Sequence, residues 1–117
     1  KLGIMAEDLY DYESLYGVDL TMSKAERAIY RNSIRGHGMV LIGVDIRDDE
    51  IVKWKIENSW GDKRGSKGYW TLYDSWFDMH VYNIIVKKEF VPAEVLAIFD
   101  KPVEVLPAWD PMLSMVK

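Results

Sequence analysis

The sequence predicts an α+β fold: a twisted antiparallel sheet or open barrel with flanking helices, a partial fold in which strands dominate the middle of the chain. Three observations carry this. Strand-like runs cluster between residues 39 and 86, and helical signals lie on either side of them. Five Trp and seven Tyr among 117 residues, with 49% hydrophobic residues overall, require a packed body rather than a disordered chain. The length suits one domain around one core.

Residues 5–17 are acidic and rich in tyrosine and fit either a short helix or an ordered loop. Ser23-Lys24-Ala25-Glu26 reads as a capping box, with the Ser hydroxyl accepting from the Glu26 N–H while the Glu26 carboxylate reaches back. It opens a helix to about Asn32 along the apolar stripe Ala25, Ala28 and Ile29. Met39 to Ile46 is apolar and partly β-branched, the pattern of a strand buried on both faces. After a polar turn at Arg47-Asp48-Asp49-Glu50, Ile51 to Glu57 alternates: Val52, Trp54 and Ile56 share one face, Lys53, Lys55 and Glu57 the other. The two runs make an antiparallel hairpin. A charged glycine-rich loop, Gly61 to Gly68, leads to a third strand at Tyr69–Tyr73. Ser75 to His80 reads as a turn or short helix, Tyr82 to Val86 as a fourth strand, and Pro92 to Phe99 as a helix with Pro in its first turn. Residues 101–117 contain three prolines and read as an extended tail.

The net charge of −4 and pI near 5.1 give no footing for nucleic acid or an anionic membrane surface. No apolar run approaches the ~20 residues of a membrane-spanning helix, and the first ten residues lack the apolar stretch of a signal peptide, so a cytoplasmic location is expected. With no cysteine, the chain can hold no disulfide, no thiolate-bound metal and no thiol nucleophile. No cofactor or metal site is expected. Asp48-Asp49-Glu50 lacks the spaced oxygens of a calcium loop, and Lys63, Arg64 and Lys67 miss the spacing of a phosphate loop; both read as solvated surface. His80 has no accompanying ligand set and reads as structural or exposed. The chain opens at Lys1 rather than at Met, as expected of a fragment or processed product, although an expression boundary explains it equally well.

His37, between Gly36 and Gly38, precedes the first strand of the hairpin, and Asn58 closes the second. Antiparallel pairing brings these two positions together, and Asn58 continues the parity of the apolar row. An amide oxygen that accepts from one imidazole nitrogen fixes the tautomer and the ring plane, leaving the other nitrogen to face a nucleophile. That is the His–Asn portion of a Cys-His-Asn triad, where a thiolate–imidazolium pair needs less from its orienting group than a serine system does. Trp60 is placed to cover the His–Asn hydrogen bond and keep water from competing for it.

Asn58-Ser59-Trp60-Gly61, followed by Gly65, Gly68 and Tyr69, resembles the Asn-Ser-Trp-Gly block of papain-like peptidases. His37-Gly38-Met39-Val40 with Gly43-Val44 resembles their His block. The finer likeness, through Trp54-Lys55-Ile56-Glu57, Leu9-Tyr10-Asp11-Tyr12-Glu13, Met22 to Arg27 and the tail Leu106-Pro107-Ala108-Trp109-Asp110-Pro111-Met112, is to the bleomycin hydrolase and bacterial aminopeptidase C family. The resemblance implies that residues 1–117 are the C-terminal, papain-like β-barrel lobe of a cysteine aminopeptidase several times longer. It implies His37 as general base and acid, Asn58 as its orienter and Trp60 as its shield. The Cys nucleophile and the oxyanion hole would lie upstream, so the chain alone would be inactive. Further implied are a peptide or aminoacyl-amide substrate, a homo-oligomer (a hexamer in this family), and a terminal carboxylate on Lys117 that meets the substrate's α-ammonium. Gly36 and Gly38 depart from the family's usual Thr or Ser and Ala, which would widen the neighbouring substrate subsite. Leu113 stands where the family has Gly, so a turn there needing positive φ would be strained. A non-catalytic papain-like interaction module and a truncated remnant remain as alternatives.

Overall fold

A computed structural model describes residues 2–7, 9–34 and 36–116. Its centre is a four-stranded mixed sheet in the order β1-β4-β3-β2, built from β1 (Ile4–Met5), β2 (Val40–Arg47), β3 (Glu50–Glu57) and β4 (Tyr69–Tyr73). β2, β3 and β4 are antiparallel, and β1 runs parallel to β4, with Ile4 opposite Thr71. This is the expected sheet with flanking helices; it is open rather than closed into a barrel, and β1 adds one parallel pair to the antiparallel strands.

β2 and β3 are joined through Asp48 and Asp49, both at positive φ (51° and 64°), the conformation of a two-residue hairpin turn whose twist matches the strands. Asp tolerates this left-handed backbone better than most residues. The pairing slips twice: Ile42 has no partner on β3 and Val52 none on β2. Such bulges re-aim side chains. Between them Val44 stays opposite Trp54 and Asp45 opposite Lys53, whose ammonium lies 3.6 Å from the Asp45 carboxylate. Below the first slip Leu41 pairs with Ile56. Ile56 and Leu72, adjacent through Trp54 and Trp70 in the β3–β4 ladder, are the best-buried apolar side chains, at 1% and 2% exposure.

The helices are short. α1 (Tyr12–Tyr16) is capped by Asp11, whose Oδ1 accepts from the Ser14 N–H at 2.9 Å, and stops at Gly17, φ 65°. α2 (Lys24–Ile29) carries the expected capping box, with Ser23 and Glu26 satisfying each other's backbone N–H. It ends before Asn32 because Arg31 turns to φ 56°. α3 (Asp74–His80) packs on β3 and β4: Trp54 Nε1 donates to Asp74 at 2.8 Å and stacks on Phe77 at 5.0 Å. α4 (Ala93–Leu96) continues into a 3₁₀ turn, Ala97–Asp100.

Three further expectations need correction. Tyr82–Val86 is not a strand; β-branched residues favour a pleated surface only where a neighbour completes the ladder, and here Ile84, Ile85 and Val86 are exposed. β2 is not buried on both faces, because it forms the sheet edge and Val40, Leu41, Ile42, Val44 and Ile46 are all exposed. The tail is extended only to Pro107; Asp110 then accepts from the Met112 N–H at 2.8 Å and starts a 3₁₀ turn, Pro111–Val116, that packs against α2. No helix among the described residues is long and apolar enough to cross a membrane.

Candidate active site

The hairpin sets the site. Val40 opposes Glu57, so the extended residues leading into β2 run beside the residue that follows β3. His37 Nε2 lies 2.9 Å from Asn58 Oδ1. The backbone N–H of Ser59 donates to the same Oδ1 at 2.8 Å. An amide nitrogen could not accept that bond, so the oxygen end of Asn58 faces His37. Nε2 must then carry the proton it donates, and Nδ1 holds the free lone pair. Nδ1 has no hydrogen-bond partner among the described residues. Asn58 is 8% exposed, and its own N–H donates to Gly68 O at 3.2 Å. The orienting amide is therefore held at side chain and backbone, while His37 is open to solvent on its remaining side.

Trp60 stacks on the imidazole, with ring centroids 5.0 Å apart and planes 21° apart. Trp70 meets Trp60 edge-to-face, with ring centroids 5.7 Å apart. The guanidinium of Arg64 lies over the Trp60 ring, 5.2 Å from its centroid. His37, Asn58 and Trp60, singled out by their spacing, are thus brought together. Two members of the cluster were not foreseen. The Ser59 N–H that fixes the amide leaves no trace in residue type, because every non-proline residue has one. Arg64, read as solvated surface, is exposed and in addition lies over the indole.

Gly36 and Gly38 flank His37, and neither has positive φ. A Cβ added at either would meet nothing within 4 Å. Side chains at these two positions would stand in open space, and neither glycine answers a backbone requirement. Leu113 adopts no positive φ and sits in the 3₁₀ turn without the strain expected of it. Lys117 lies outside the described residues. His80 belongs to a separate cluster: its Nε2–H donates to Glu7, which also faces Arg27 at 3.8 Å, and its ring lies on Trp76 at 4.5 Å. This group ties the segment after β1 to α2 and α3.

The family model described as the Peptidase C1-like family matches residues 1–113. Bleomycin hydrolase from Gallus gallus is 45% identical over 100% of the chain, which spans 27% of that protein. Aminopeptidase C from Streptococcus thermophilus is 46% identical over 97% of the chain and is covered over 26% of its length. The crystal structure of PepW from Lactobacillus rhamnosis HN001 superposes on the whole chain with a TM-score of 0.85 at 45% identity, again over 26% of its own length. The chain thus spans about a quarter of these relatives and matches a segment of them.

Proposed function

The chain belongs to the Peptidase C1-like family, and on that premise we propose that it is the His- and Asn-bearing lobe of a cysteine aminopeptidase. The observation that carries the reading is the Nε2–H to Oδ1 bond between His37 and Asn58 beneath the Trp60 ring. It leaves a lone pair at Nδ1 on a ring whose plane is fixed, the requirement for a general base next to a thiol. The thiol comes from polypeptide outside this chain, which has no cysteine of its own.

In this mechanism the thiol proton moves to His37 Nδ1, giving a thiolate–imidazolium pair. The thiolate sulfur bonds the scissile carbonyl carbon, and the carbon–nitrogen bond breaks as Nδ1 returns the proton to the departing amine. Nδ1 then takes a proton from water, whose oxygen attacks the thioester. The acid leaves and the thiolate is restored. Asn58 keeps the imidazole in one plane throughout, and Trp60 excludes water that would compete for Nε2–H. Gly36 and Gly38 leave room beside His37 for the substrate backbone.

The test joins this chain to its Cys-bearing complement and follows an aminoacyl fluorogenic amide. Turnover by the assembled protein and none by the isolated chain is the expected result. His37→Ala should lower kcat/KM by about 10²- to 10⁴-fold, the usual worth of a positioned acid–base group. Hydrolysis by the pure 117-residue chain, or full activity in the His37 variant, would refute the assignment.

A further inference from the structure

We infer that the loop Gly61–Gly68 gives the enzyme a preference for peptides with an acidic side chain just beyond the bond that is cut, and that Arg64 is the residue that reads it. This rests on the aminopeptidase reading above and adds the class of substrate. The chain as a whole is acidic, at −4, yet this loop carries Lys63, Arg64 and Lys67 against the single carboxylate of Asp62. All three cations are exposed, and none forms an ion pair among the described residues.

The loop is fixed to the site. Gly68 N–H donates to Arg64 O at 3.0 Å, and Gly68 O in turn accepts from the N–H of Asn58 at 3.2 Å. Ser66 N–H donates to Tyr69 O at 2.8 Å. Gly65 adopts φ +64°, and any Cβ there would fall 2.5 Å from Tyr69 O, so the turn admits only glycine. Arg64 rests on the ring that itself rests on His37. With Trp60 touching both, its charge lies within about 10 Å of the imidazole, near the Debye length of ~8 Å in physiological salt.

Charge decides which part of the substrate meets the loop. An aminopeptidase substrate carries a positive α-ammonium before the scissile bond, and unpaired cations repel it. The same cations attract a carboxylate on the departing peptide, whose amine His37 protonates.

The experiment measures kcat/KM of the assembled full-length protein on peptides that differ only in Glu, Gln or Lys immediately after the N-terminal residue. Exposed ion pairs of this kind give about a 2- to 5-fold preference for Glu over Gln at low salt, with Lys poorest. The preference should shrink towards unity as salt is raised. Arg64→Gln should remove most of it and Arg64→Glu should invert it. A Lys63→Gln/Lys67→Gln double variant should reduce it with Arg64 in place. Because the readout is a ratio within each variant, a general loss from a loosened Trp60 cancels. Equal rates on Glu and Gln peptides, or a ratio untouched by Arg64→Glu, overturn the inference and leave the peptidase assignment standing. Absence of turnover on every peptide overturns both.

Discussion

At the scale of single residues the site depends on which nitrogen of His37 bears the proton. The amide of Asn58 can accept but, with Ser59 N–H on the same oxygen, cannot offer its NH₂ to the ring. The bond is worth about 0.5–1.5 kcal/mol, enough to bias the tautomer several-fold. Nitrogen-15 NMR of the isolated chain should therefore find the Nε2–H form of neutral His37 dominant, and Asn58→Ala should return the ring to a mixture. A parent spectrum already mixed would contradict the geometry. His37, Asn58 and Trp60 could be read in the sequence because a hairpin converts spacing into proximity. Ser59's contribution and Arg64's position over Trp60 could not, since a backbone N–H has no residue-type signature and a long side chain has many rotamers.

At the scale of elements, local chemistry was legible where it closed on itself. The Ser23–Glu26 box and the Asp48–Asp49 turn form within a few residues and appear as expected. Tyr82–Val86 failed as a strand because its pattern says what surface it suits, not whether a neighbour is there. The bulges at Ile42 and Val52 were equally invisible, as alternation assumes an unbroken register. The capping box also carries a pH signature. The Ser23 N–H, and secondarily its hydroxyl, hold the Glu26 carboxyl below its ordinary 4.5. A depressed folded-state value means the contribution is complete above the unfolded value and fades as pH falls through the folded one. Carboxyl NMR titration should place Glu26 below 4.5, and Ser23→Ala should move it upward. An unchanged Glu26 titration in that variant would rule out the hydroxyl's share, since alanine keeps the backbone N–H.

For the whole molecule, the numbers describe something that is not closed on itself. The accessible surface is 9925 Å², whereas a compact monomer of 13.6 kDa exposes about 6,600 Å². The radius of gyration is 17.1 Å against about 13 Å for a compact chain of this length. Ile84, Ile85, Phe90 and Phe99 contribute an apolar surface, with Ile85 fully exposed, and an apolar groove of about 520 Å³ runs from His37 past Leu41 and Ile56 to Ile84. Surfaces of this kind drive association. Light scattering of the isolated chain should show mass rising with concentration, and an Ile85→Lys/Phe99→Lys variant should suppress the rise. A clean monomer at high concentration would count against it. The open sheet has a practical use as well. The hairpin tip at Asp48–Asp49 sits one strand length from Asn58, roughly 25 Å for eight residues at ~3.3 Å each. A dye or spin label attached there would ride on the same ribbon as the imidazole yet stay clear of it, so under the proposed function it would report how this chain docks onto its complement.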